Sequence, residues 1–257
     1  MAPIMNPSRF SGSSANMNDT GLLGYWTMDE ACGAVVNVSQ SADTVGTGLG
    51  NGSVTNATQS CACGLIGGHI LFDACGEKVQ FGCTLSTFNE TLSSTAKFTI
   101  NLWVKPTTTS HQDIILDQTD AKSTLYGFVL DFRGTCGALR AVTYCPSACP
   151  TTLYDSGVTT ATVGTGAWHM ITVRYDYSLC SNNLTVTVDD GTDEYSCSRA
   201  GTPGDNNPSG NLTLGEAYLG NDNPYDGLVD ELSFWNRALS DAEVTTLYNS
   251  GAGFSIY

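Results

Sequence analysis

The stretch GNDNPYDGLVDELSFWNRALSDAEVTTLYNSG, from Gly220 to Gly251, reads as loop, strand, turn and capped helix in one run. From Gly227 onward, strict alternation puts Leu228, Asp230, Leu232 and Phe234 on one face and Val229, Glu231, Ser233 and Trp235 on the other. Asp230 then lies in line with apolar neighbours, and a carboxylate there needs a partner or a metal. Ser240 and Glu243 form an S-x-x-E capping box, Leu239 and Val244 take the staple positions, and Gly251 follows the last turn as a stop. The helix is expected over residues 240–250. Upstream, alternation recurs at Phe98–Val104, Ile114–Leu116, Tyr126–Phe132, Leu139–Tyr144, Met170–Tyr175 and Leu184–Val188, each run closed by Gly, Asn, Asp or Pro. Short strands at this spacing, with one terminal helix, predict an all-β sandwich of two antiparallel sheets.

Three upstream segments point the same way, in a fixed order. They are Gly24-Tyr25-Trp26-Thr27-Met28-Asp29-Glu30, Phe98-Thr99-Ile100-Asn101-Leu102-Trp103-Val104-Lys105-Pro106 and Gly166-Ala167-Trp168-His169-Met170-Ile171-Thr172-Val173-Arg174-Tyr175-Asp176. Together with N-R-A-L-S-x-x-E-x-x-x-L-Y at the end, they resemble the strand motifs of the laminin-G-like, concanavalin-A-like jelly rolls. The resemblance covers residues 21–257 and implies a jelly-roll sandwich with one short C-terminal helix. Residues 1–20 lack alternation and read as a flexible N-terminal arm. The fold hosts lectins, enzyme appendages, adhesion domains and virion proteins, so function must come from the site.

Bulk chemistry narrows the partners. The formal net charge is -15, with 10 Lys and Arg against 25 Asp and Glu. Such a surface repels phosphate backbones and anionic membranes, which excludes nucleic acid as the expected partner and favours divalent cations. No stretch has the length of a membrane span, so no membrane insertion is expected. Ten cysteines, an even number, suit disulfides in an oxidising compartment. The expected pairs are Cys180 with Cys197, across a turn at Asp189-Asp190-Gly191, and Cys75 with Cys83. Zinc is the rival reading, weakened by the C-x-C and C-x-x-x-C spacings at Cys61, Cys63, Cys145 and Cys149. The N-terminal segment has no secretory pattern. Cysteine-rich chemistry without such a pattern fits an extracellular protein or one carried out on a virion surface.

Catalysis finds little footing. The acidic pairs Asp29-Glu30, Asp189-Asp190, Asp193-Glu194 and Asp230-Glu231 are adjacent and point to opposite faces of a strand, and no E-x-D-x-E strand is present. The three histidines are scattered, and His169 sits inside a strand motif. Trp26, Trp103, Trp168 and Trp235 fall within strand motifs and read as core. The aromatic platforms expected for a sugar are Tyr126, Tyr144, Tyr154 and Tyr225. In the resembling family, first and last strands often pair, and a structural calcium often sits at a sheet edge. That implies Asp29 or Glu30 near Asp230 as calcium ligands. The alternative is that Asp230 caps a turn by accepting backbone N–H bonds. The expected function is a non-catalytic surface module binding a surface glycan or neighbouring particle proteins, with a homo-oligomer open to it. A purely structural virion component is the runner-up, and a glycoside-active enzyme is third.

Overall fold

A computed structural model describes residues 17, 19–29, 52–60, 63–81, 97–109, 113–119, 127–133, 137–144, 153–155, 159–176, 178–179, 183–191, 212–216 and 224–256. Among these the strands are β1 (Leu22–Trp26), β2 (Gly52–Thr55), β3 (Thr58–Ser60), β4 (His69–Phe72), β5 (Lys78–Phe81), β6 (Lys97–Pro106), β7 (Ile114–Thr119), β8 (Gly127–Phe132), β9 (Leu139–Tyr144), β10 (Leu153–Asp155), β11 (His169–Asp176), β12 (Leu184–Val188), β13 (Thr213–Leu214) and β14 (Gly227–Trp235). They form two seven-stranded sheets with antiparallel ladders. The first runs β12-β11-β6-β14-β4-β3, with β1 also on β14. The second runs β10-β9-β8-β7-β13-β5-β2. One helix, α1 (Asp241–Tyr248), and a short 3-10 turn follow β14.

The two sheets close on one core. Alternate residues of facing strands meet there: Ile100, Leu102 and Val104 from β6, Phe128, Leu130 and Phe132 from β8, and Ile171 and Val173 from β11. Trp26 is fully buried in it, with its ring 4.6 Å from Phe81 and edge-on to Phe234 at 6.0 Å. The outer face of the first sheet carries a second apolar cluster, built from Tyr25, Trp103, Met170 and Trp235. It is covered by Leu239, Val244 and Leu247 around the helix. The tryptophans read as core are core, with Trp168 half-buried against the second cluster.

Helix α1 forms where the capping signal lies. The Ser240 hydroxyl accepts from the Glu243 N–H, and the Glu243 carboxylate accepts from the Ser240 N–H at 2.8 Å. Both staple residues, Leu239 and Val244, are buried. The helix stops earlier than expected, at Asn249 in the left-handed conformation (φ 47°), while Gly251 ends the 3-10 turn. Arg237 holds the box from outside, pairing with Glu243 at 2.7 Å. The Arg237 pairing and the cap hold the Glu243 carboxyl down from 4.5 to about 2. A carboxyl whose folded value is depressed contributes stability above its unfolded value and loses it as pH falls. Acid titration of unfolding free energy should therefore show a loss between pH 4.5 and about 2 that Glu243→Gln lacks. Because the pair is solvent-accessible, the loss is about 1 kcal/mol. Equal acid sensitivity in the variant would contradict the pairing.

The alternation expected in β14 is not continuous. Asp230 pairs with Trp103 of β6 and Ser233 with Asn101, so Glu231 and Leu232 together oppose Leu102. Glu231 has φ 52°. The extra residue shifts the side-chain period by one. Val229 faces the core before the bulge, and Leu232 and Phe234 face it after, whereas Leu228 is only partly buried. The bulge also divides the free edge of β14. Residues Gly227–Val229 pair with β4, and residues from Leu232 to Trp235 pair with β1.

Candidate functional site

The pairing of first and last strands holds, since β1 runs antiparallel to β14. It brings Asp29 and Asp230 to one loop, residues 63–68, which precedes β4. Asp230 is fully buried. Its Oδ2 accepts the N–H groups of Leu65 at 2.8 Å and Ile66 at 3.1 Å, and its Oδ1 accepts from Glu231 N–H at 2.9 Å. Asp29 accepts from Gly68 N–H at 2.6 Å. The loop approaches so closely that a Cβ on Gly67, whose φ is +83°, would collide with the Asp29 carboxylate. Burial pushes the Asp230 carboxyl well above the ordinary range. The Ile66, Leu65 and Glu231 amides oppose that rise, and the Asp29 charge adds to it.

This donor set does not fit a calcium shared by Asp29 and Asp230. Both oxygens of Asp230 already accept backbone N–H groups, which a hard cation would have to displace. Among the described residues, no three His, Cys, Asp or Glu side chains gather as a metal site. The turn-capping arrangement is the one present, and Glu30 lies outside the described residues. The neighbouring Glu231 turns the other way and accepts a hydrogen bond from the Tyr25 hydroxyl.

The expected aromatic platforms separate. Tyr225 is 1% exposed. Its ring lies 6.1 Å from Phe72 and 6.3 Å from Phe132, and its hydroxyl donates to the Leu228 carbonyl at 3.0 Å. This corrects its expected role, because a ring enclosed on both sides by core aromatics has no face for a sugar. Burial also raises its phenol well above the ordinary value. Tyr144 ends β9 and Tyr154 lies in the edge strand β10, so both belong to strands rather than loops. Tyr126, Cys83, Cys180 and Cys197 lie outside the described residues. Cys75 is exposed as a free thiol. Asp189 takes the left-handed conformation (φ 60°) in the expected turn. It pairs with His169 Nδ1 at 3.1 Å and accepts from Met170 N–H at 3.0 Å, which gives His169 a structural place.

A cleft of about 430 Å³ opens beside this turn, between the end of the edge strand β12 and helix α1. Sequence reasoning missed it. Its lining includes Arg174, Thr187, Asp190, Asp241, Val244 and Thr245. Arg174 points from β11 to the outer face of the sheet, where Nη1 donates to the Leu239 carbonyl at 3.0 Å and to Asp241 Oδ1 at 2.7 Å. Thr187 is 1% exposed and stands opposite Thr172 in the ladder. Asp190 and Thr245 are exposed. Asp241, Val244, Thr245 and Tyr248 recur at helical spacing, on the side of α1 that faces the sheet edge. Tyr248 stacks on Trp103, with centroids 5.7 Å apart and planes 9° from parallel. Burial, then the charges of Asp189 and Asp190, raises the Tyr248 phenol. The signal available in sequence was an arginine on the outward phase of an apolar strand, which is weak by itself.

This architecture recurs in solved proteins. Domain 4 of an extracellular GH43 arabinanase from Geobacillus stearothermophilus, in complex with arabinotriose, matches with TM-score 0.60 at 20% identity, covering 88% of this chain and 97% of that one. The binding domain of Paraclostridial Mosquitocidal Protein 1 matches with TM-score 0.62 at 16% identity, covering 91% of this chain but 53% of that one. The Ruminococcus gnavus IT-sialidase CBM40 bound to alpha2,3 sialyllactose matches with TM-score 0.53 at 13% identity, covering 72% and 96%. The chain thus spans about half the length of the toxin domain. Comparison with curated proteins finds no match. At these identities the likeness is one of fold, and the family is settled by sequence. The family model described as "Concanavalin A-like lectin/glucanases superfamily" matches residues 82–245, and the chain belongs to that superfamily.

Proposed function

We propose that the protein is a non-catalytic carbohydrate-binding module. The observation that carries this reading is the superfamily match over residues 82–245, on a fold shared with domains solved with arabinotriose and sialyllactose. The non-catalytic part is supported by the work already done by the acidic residues. Asp230 holds three backbone amides, Asp29 holds Gly68, Asp189 holds His169 and Met170, and Glu231 accepts from Tyr25. A glycosidase needs an acid and a base facing each other across the scissile bond. The cleft instead offers two carboxylates, one of them bound to Arg174.

The same proposal places the protein outside a cell or on a virion surface, where ten cysteines suit an oxidising setting. No described helix is long and apolar enough to cross a membrane. The test pairs binding with turnover. Affinity electrophoresis in gels containing soluble polysaccharides should retard the protein in at least one of them. Incubation with the same polymer should release no new reducing ends. Release at an enzymatic rate would make the protein a glycosidase, and free migration in every gel would remove the carbohydrate reading.

A further inference from the structure

We infer that the cleft between the β12 turn and helix α1 is a binding site for a neutral saccharide, and that it discriminates against sialylated glycans. The inference rests on the carbohydrate-binding reading for its ligand class and on the cleft alone for its location and selectivity.

The volume, about 430 Å³, lies in the range of small-ligand pockets. The polar groups are of both kinds. Thr245 offers a hydroxyl that donates or accepts, Asp190 offers carboxylate acceptors, and Arg174 and Asp241 pair along the wall. Sugar hydroxyls donate and accept equally, so a mixed lining satisfies them where a single-sign lining would not. Val244 supplies the apolar contact of the lining. Short polar side chains order at low entropic cost when a ligand arrives.

Charge then sets the selectivity. Asp190 stands on the hairpin wall and Asp241 on the helix wall, with the exposed Asp241 side chain already engaged by Arg174. The Arg174 Nη1 is committed to Leu239 and Asp241, so the cation present is matched by an anion of the protein itself. Asp189 adds a further carboxylate beside the turn. A sialic acid carboxylate entering this space meets like charge from Asp190 on the hairpin wall, while Asp241 on the helix wall is matched by Arg174, within a chain of net charge -15. A neutral ring meets none of that repulsion.

Isothermal titration of the full chain with arabinotriose, lactose, cellotriose and α2,3-sialyllactose tests both parts. At low salt at least one neutral sugar should bind, and sialyllactose should bind no better than one-tenth as tightly. Raising the salt should narrow that gap, because exposed charges are screened beyond about 10 Å at 0.1 M. Asp190→Ala and Thr245→Ala remove exposed groups and should leave the melting temperature unchanged. Each should weaken the neutral sugar about tenfold, the worth of one or two hydrogen bonds. Sialyllactose binding as tightly as the neutral sugars overturns the selectivity and leaves the module a glycan binder. Neutral binding untouched by both variants overturns the site and again leaves that reading intact. Failure of all three neutral sugars ends the inference, and the polysaccharide gels decide separately whether the carbohydrate reading ends with it.

Discussion

Asp230→Ala is expected to lower the unfolding free energy by about 3 kcal/mol, read as a fall in denaturation midpoint at unchanged slope. The variant removes the acceptor for the part-buried amides of Leu65 and Ile66 and the buried amide of Glu231. Hydrogen bonds to a charged group contribute about 1.5–3 kcal/mol each, and relief of the buried carboxylate's own desolvation offsets part of the sum. The loss should be the same with and without a chelator, because backbone amides already take both oxygens of the carboxylate. A variant as stable as the parent would mean that the loop at residues 63–68 stands without its peg. A chelator that destabilised only the parent would restore the calcium reading.

The second large effect is in the core. Trp26→Ala should cost about 3–5 kcal/mol, the range for emptying a fully buried large aromatic position. Trp26 touches both sheets, packing on Phe81 of the second and Phe234 of the first. Its loss therefore leaves a cavity between layers that cannot collapse without moving one sheet. Trp26→Phe should recover part of the stability, since it keeps an aromatic edge near Phe234. Equilibrium unfolding in urea checks both. A Trp26→Ala protein within 1 kcal/mol of the parent, well below the cavity cost, would contradict the placement of this ring at the centre of the sandwich.

Much of this fold is legible in the chain because its signals are local. The capping box at Ser240 and Glu243 needs only four consecutive residues, and it forms as read. The strand at Leu184–Val188 has the bounds its alternation gives it. The pairing of β1 with β14 came from the resemblance and is present. What failed is what period-two reading cannot contain. Alternation assumes an uninterrupted strand, and the bulge at Glu231 breaks it, so Val229 rather than Leu228 meets the core. Tyr225, read as a loop ring for a sugar, is enclosed because Phe72 and Phe132 arrive from different strands. Nothing near Tyr225 in sequence announces them.

The candidate site was illegible for the same reason. Arg174, Asp190 and Thr245 come from a strand, a turn and a helix, and only the packing of α1 over the sheet edge assembles them. Asp230 was read as a carboxylate in need of a partner or a metal, and backbone amides take that place. Two of the three amides that satisfy it, those of Leu65 and Ile66, lie more than 160 residues earlier in the chain.

The central claim is that this superfamily member binds carbohydrate without cleaving it. A glycan microarray probed with the purified full chain tests that claim most directly. The expected result is saturable, reproducible retention on a set of neutral glycans, diminished in Asp190→Ala, with the printed glycans intact afterwards. Retention on no glycan at any protein concentration, or loss of the printed sugar during incubation, would contradict it.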